Sequence, residues 1–246
     1  MSVLAKAVQV IEELGAAEVP IKLGTISEAV QLPKSSAHRL LNELADLGLV
    51  TRCAEGEYTV GFRLHRWGSF DRERVGLRTI AQPIINRLRD TAHESVMVIV
   101  ADGPYRVCLA AAPSNHLMRP ALAPGDRSPM GFGAAGKLLY AYADAETRQQ
   151  TAEISPPQDR ASLPSAAELE QIRMQGWAVS VGELESSLTA LALPLPDGEG
   201  GIVGALLVAG ASSRMPADQF EALRALMQQA ADEITAQLLG SRKPLT

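Results

Sequence analysis

Six side chains able to bond a nucleic acid fall within residues 34–42 of PKSSAHRLLN. Lys34, Ser35, Ser36, His38, Arg39 and Asn42 supply ammonium, hydroxyl, imidazole, guanidinium and amide groups. Groups of this kind bond phosphates, and Arg, Lys, Ser and Asn also match base-pair edges. Ala37, Leu40, Leu41 and Leu44 are threaded between them at spacings of three and four. That is the apolar stripe of an amphipathic helix. The polar set lies largely off the stripe and gathers at the helix's N-terminal end.

The neighbouring residues predict what holds this helix. Pro33 has a fixed φ and no N–H, so it interrupts one helix or starts the next. Gly48 suits the left-handed position that ends a helix. Upstream, Ile26, Ala29 and Val30 line one face of a shorter helix, opened by Gly24 or by Thr25 as a hydroxyl cap. Two short helices across a tight turn form a helix-turn-helix, whose second helix enters a major groove. Downstream, LVTRCAEGEYTVGF alternates around Glu55-Gly56 and predicts a β-hairpin, the wing of a winged helix. Thr25, Lys34, Ser35, Ser36, His38, Arg39, Asn42 and Arg52 are the candidate DNA-facing residues. Two alternatives are an ordinary three-helix core with a solvated polar face and a helix-turn-helix used only for protein contacts. The agreement of helix order, Pro, Gly and polar face favours DNA.

Charge bears on this reading. The 246-residue chain carries 23 Lys/Arg and 28 Asp/Glu, a net of −5. Residues 1–70 hold seven Lys/Arg and eight Asp/Glu, a net of −1. Any basic footprint is therefore local: Lys34, His38, Arg39, Arg52, Arg63 and Arg66, with Glu12, Glu13 and Glu18 directed elsewhere. Weak electrostatics predicts modest non-specific affinity and reliance on a partner subunit.

Other chemistry is excluded more firmly. Gly131-Phe132-Gly133-Ala134-Ala135-Gly136-Lys137 begins like a phosphate loop, but Leu138 stands where a Ser or Thr should hold Mg²⁺. Its amides can still hold an anion such as a carboxylate; close packing of a Gly/Ala-rich helix start is the alternative. Cys53 and Cys108 are isolated, without metal-ligand spacing, and are expected as free thiols in a reducing cytoplasm. His93-Glu94 lacks a second His at zinc spacing, and no serine sits in a nucleophile elbow. No catalytic residue, metal or cofactor is expected. Nor is a membrane span or signal peptide.

Hydrophobic content of 46% with only 4% aromatics predicts a core of Leu, Ala, Val and Ile. Leu4, Ala7, Val8, Ile11 and Leu14 predict an opening helix. Three segments divide the chain: a winged helix-turn-helix in 1–66, a linker with helical character in 67–77, and an effector-binding and oligomerisation domain in 78–246. In the last, helices are expected over 77–92 (Pro83 near its first turns), 133–143, 166–175 and from Phe220 to Gly240. A hairpin is expected about Asp102-Gly103-Pro104. Strands over 188–195 and 202–209 are joined through 197–201. The fold class is mixed α/β (α+β), with an antiparallel sheet flanked by helices.

These segments resemble the IclR family of bacterial transcriptional regulators over nearly the whole chain. LAKAVQVIEEL is similar to the family's opening helix, LPKSSAHRLLNELADLGLV to its recognition helix, and GEYTVGFRLHRWG to its wing. DRSPMGFGAAGKLLYAYA resembles its turn into the pocket helix. In GWAVSVGELESSLTALALPLPDGEGGIVGALLVAG, Gly176, Ser180, Glu183, Ala190, Leu191, Ala192, Leu195 and Asp197 fall at the signature spacings. Pro196 and Ser187 depart from it, standing where an aromatic or His and a Gly are usual. The resemblance implies a GAF/PAS-like effector domain, double-stranded operator DNA as partner, and a homodimer or homotetramer. It implies an effector pocket at Met130, Ala134, Ala135, Pro194, Leu207 and Ala209. Apolar side chains at the last three imply a greasy wall, and with the loop amides an organic or aromatic acid as effector. An enzyme docked by its N-terminal module is the competing reading; it lacks a visible nucleophile, base or metal set.

Overall fold

Pro33 opens a helix and Gly48 closes it in the computed structural model, which describes residues 2–17, 19–68 and 72–241. The expected boundary segment is covered only in part, because residues 69–71 lie outside the described residues, as does Glu18. The chain divides into two compact units, 1–75 and 76–246.

The first unit begins with α1 (Val3–Ala16), capped by the Ser2 hydroxyl, which accepts the Ala5 N–H at 3.2 Å. Its inward stripe is Ala7, Val10, Ile11 and Leu14; Leu4 and Val8, expected on that face, are exposed. The sequence offers two overlapping apolar stripes, both at spacings of three and four, and packing takes the one that includes Val10. Next come β1 (Ile21–Lys22) and α2 (Leu23–Ala29). Lys22 precedes α2 without capping it, so Thr25 lies inside the helix and is not its cap. Ile26 and Val30 are buried as expected, whereas Ala29 is exposed and Ser27 takes an inward place. The Ser27 hydroxyl is satisfied by donating to the Leu32 carbonyl at 2.6 Å.

Recognition-type helix α3 (Lys34–Asp46) buries Ala37, Leu40, Leu41 and Leu44. Its end is a Schellman motif: Gly48 N–H bonds the Ala45 carbonyl and Leu49 N–H the Leu44 carbonyl, both at 2.9 Å, with Gly48 at φ +71°. Strands β2 (Val50–Arg52) and β3 (Glu57–Val60) form the expected hairpin, and β1 adds a third strand beside β3. A two-residue strand carries too little pattern to be read in advance. Gly61 ties the wing to α3. A Cβ there would stand 2.2 Å from the Gly48 carbonyl oxygen, so no other residue allows this approach. Helix α4 (Phe62–Gly68) follows.

Helix α5 (Arg72–Ala92) starts earlier than its apolar pattern suggested, which leaves Pro83 mid-helix. The second unit is built on a fully antiparallel sheet of β4 (Ser95–Asp102), β5 (Tyr105–Ala112), β6 (Arg127–Pro129), β7 (Ala178–Val181), β8 (Leu188–Pro196) and β9 (Ile202–Ala211), in the order β6-β5-β4-β9-β8-β7. Helices α6 (Gly133–Tyr142), α7 (Ala145–Ile154), α8 (Ala166–Gln175) and α9 (Phe220–Ser241) complete it. Val96, Val98, Leu191, Leu193, Leu206 and Val208 pack with residues of α5 and α9 on one face. Met97, Ile99, Ala192, Ala205 and Leu207 pack with α6 and α8 on the other. Both faces are covered by apolar packing, which accounts for the near-continuous apolar runs of β4, β8 and β9.

Candidate functional site

Each unit carries one candidate site. On α3, burying the apolar stripe forces the other face outward. Lys34, Ser35, Ser36, His38 and Arg39 are exposed, and Asn42 is half-buried. Arg39 Nε lies 3.4 Å from Glu43 one turn on, an exposed pair. Such pairs contribute about 0.3–0.5 kcal/mol, so Arg39 can exchange this partner for another anion. Asn42 and Arg52 are brought together: Arg52 Nη2 donates to Asn42 Oδ1, and its guanidinium lies 5.7 Å from the Tyr58 ring centroid. Wing and helix thus share a polar contact. Thr25 is exposed on α2, away from this cluster in sequence and element. One neighbour was not anticipated: Lys6 of α1 donates to the Val30 carbonyl at 2.6 Å and borders a groove with Ser35, Ser36 and Arg39. Arg52, Arg63 and Arg66 line a second depression beside the wing.

In the other unit, small residues leave space. Gly133, Ala134 and Ala135 open α6, and Ala190 and Ala209 face them from the sheet. The result is a cavity of about 180 Å³. Of the six candidate effector-site residues, Ala134, Ala135, Leu207 and Ala209 line it. Met130 and Pro194 do not. Met130 is fully buried in the core beside α6. Pro194 pairs with Ala205, four residues along β8 from Ala190, roughly 13 Å away at strand rise.

Arg106, Ser180 and Leu184 line the cavity and were missed. For Arg106 a signal existed: it shares strand parity with Cys108, whose side chain joins the α6-side core, so a cation falls on an inward position. Leu184 closes over Gly133, where a Cβ would approach it to 2.7 Å; Gly133 sits at φ +66°. The loop carrying Leu184 is tied down by an ion pair between Lys137 of α6 and Glu183. No group of three or more potential metal ligands occurs among the described residues.

Both unit folds have counterparts in one family. Residues 3–53 match the IclR helix-turn-helix domain, and residues 72–236 match the bacterial transcriptional regulator IclR C-terminal domain. The chain belongs to the IclR family. It is 27% identical over 223 residues to the HTH-type transcriptional regulator KipR of Bacillus subtilis, covering 87% of this chain and 89% of that one. It is also 27% identical over 220 residues to the HTH-type transcriptional repressor AllR of Escherichia coli, at 87% and 81% coverage. An IclR homolog from Microbacterium hydrocarbonoxydans, solved with 4-hydroxybenzoate, superposes with a TM-score of 0.75 at 23% identity over 97% of this chain and all of the other. As an IclR-family member the chain is a DNA-binding transcriptional regulator and not an enzyme.

Both cysteines of this IclR-family chain are free thiols, but they differ in reach. Burial, with Asp126 nearby, pushes the Cys108 thiol up to about 11, so it stays neutral and shielded at pH 8. Cys53 is half-buried. A disulfide-exchange reagent at pH 8 is expected to titrate one thiol in the native protein and two in denaturant. Two fast equivalents without denaturant would contradict the burial of Cys108.

Proposed function

We propose that this regulator reads operator DNA with the exposed first turns of α3, helped by Arg52 of the wing, and responds to a small organic acid held in the cavity under α6. The working division is a winged helix-turn-helix in 1–66, a linker in 67–77 and an effector and oligomerisation domain in 78–246. The observation that carries the DNA reading is the outward display of Lys34, Ser35, Ser36, His38 and Arg39 from a helix pinned by four buried apolar residues. The cavity's apolar lining and the acid bound by the M. hydrocarbonoxydans relative support the effector class. The operator is double-stranded and two-fold, read by a dimer or tetramer, because the near-neutral net charge of the first unit leaves a single reader with little long-range attraction. Among the described residues no helix is long and apolar enough to cross a membrane, in keeping with a cytoplasmic protein.

Arg39→Ala should cost about 1–3 kcal/mol of specific operator binding if the guanidinium meets a base edge. Lys34→Ala should weaken specific and non-specific DNA alike and reduce the salt slope by about one. Fluorescence anisotropy on the upstream DNA and a scrambled duplex, each across a salt series, separates the two. Full operator affinity in a folded Arg39→Ala protein would remove Arg39 from the reading. No DNA binding by folded wild-type protein at any salt would favour a helix-turn-helix used for protein contacts.

A further inference from the structure

Arg106 is a cation with no evident protein role. It extends from β5 into the cavity, its Cδ packed over Gly136, where an added Cβ would lie 3.3 Å away. Its Nε is buried without any hydrogen-bond acceptor. No carboxylate lines the cavity, and no ion pair involves this guanidinium among the described residues. Other arginines of the same unit are satisfied: Arg173 by the Ala141 carbonyl, Arg148 by that of Ala143, and Arg214 by Glu94. Burial is the dominant influence on Arg106 and acts against its charged form. Its neighbour Cys108 offers no counter-charge while its thiol is neutral. Arg106 as a whole is half-buried; an unpaired charge drawn partly out of water is still costly, and a fold that keeps one facing a cavity gains where a ligand brings the opposite charge.

We propose that Arg106 is the anion-binding residue of the effector site, and that the effector is a small monocarboxylate with an apolar body no larger than about one ring. The proposal rests on the cavity being the effector site. A guanidinium presents a planar fork that pairs both oxygens of a carboxylate, so one residue fixes charge and orientation together. Apart from the Ser180 hydroxyl, the remaining side chains, Met97, Leu122, Leu207 and Ala209 among them, offer the apolar body only dispersion and burial. The uncapped first amides of α6 border the same space and can take a second lone pair. Size follows from volume: an apolar cavity of about 150 Å³ holds benzene. At about 180 Å³ this one has room for a ring and a carboxylate, or for a short aliphatic acid.

The test uses the full-length protein and calorimetric titration with glyoxylate, pyruvate, benzoate, phenylacetate and 4-hydroxybenzoate, each beside its carboxamide. At least one acid is expected to bind wild type, and its amide to bind on the order of 10- to 100-fold more weakly. Arg106→Gln should lose the same factor for the acid and little for the amide, and Arg106→Lys should recover part of it. Arg106→Met provides a readout free of ligand. Removing an unpartnered, half-buried charge should raise the ligand-free melting temperature, by up to about 2–4 °C. Equal affinity for an acid and its amide, or acid binding unchanged in Arg106→Gln, would overturn the proposal while leaving the cavity as the effector site. Failure of every acid and every amide to bind would overturn the effector reading itself. A lower melting temperature for Arg106→Met would assign Arg106 a structural role instead.

Discussion

Leu41→Ala is expected to weaken operator binding severely without moving the melting transition of the second unit. Leu41 is fully buried at the centre of α3, on the stripe that packs with Val10, Leu14, Ile26 and Val30. Truncating a buried leucine costs about 2–5 kcal/mol, the upper end where neighbours cannot close the gap. Here the loss falls on a unit of some 75 residues with a single apolar cluster. Small units have little stability to lose, so most of the first unit should be unfolded in the variant. The second unit has its own, larger cores, and its transition should stay in place. Calorimetry should show one early or missing transition and one unchanged. Operator affinity should fall by the fraction folded, and excess operator should recover part of it by mass action. A variant with wild-type operator affinity and both transitions unmoved would show that Leu41 does not anchor the reading helix.

Much of this architecture is legible in the sequence where one rule dominates. Pro33 and Gly48 bracket α3 because each removes a conformational choice. The hairpin at Gly103 and the helix over Ala166–Gln175 follow from turn chemistry and a Ser165–Glu168 capping box. Errors arise where two patterns compete or none is strong. α1 holds two possible stripes, and only packing chooses between Val8 and Val10. β1 and β6 are too short to show alternation, and α7 buries just Thr151. The family resemblance pointed to the small residues Ala134, Ala135 and Ala209, whose missing volume leaves the cavity open. Pro194 and Met130 were carried there by resemblance, which transmits position along a strand but not how far the cavity extends. Arg106 contributes from a strand the resemblance did not point to. Its meaning depends on what fails to accept its hydrogen bonds, a property of the fold.

Arg214→Met is expected to lower stability by about 3 kcal/mol and to loosen the effector cavity as well. Glu94 is 5% exposed, and its carboxylate receives Arg214 Nε and, at 2.8 Å, Arg214 Nη2. The carboxylate lies against the backbone at Gly210, where a Cβ would come within 2.2 Å of Oε2, so that side offers no room for relaxation. Removing one member of a buried pair costs about 3–5 kcal/mol because the other stays desolvated and unpaired. The partial exposure of Arg214, 30% for its side chain, puts the expectation at the lower end. For a unit of this size the melting temperature should drop by about 10 °C. Arg214 Nη2 also donates to the Met118 carbonyl at 3.2 Å, in the loop that supplies Pro120, Ala121 and Leu122 to the cavity wall. The variant should therefore bind an effector acid more weakly even where it remains folded. Two effects with different causes can be separated by the double variant Glu94→Gln/Arg214→Met. Removing the stranded charge should restore most of the stability, since the penalty lies in the unpaired carboxylate. It should not restore effector affinity, since the Met118 anchor is still absent. Recovery of both together would mean that the cavity wall is held by other contacts. Recovery of neither would mean that Arg214 stabilises the second unit through packing and not through its charge.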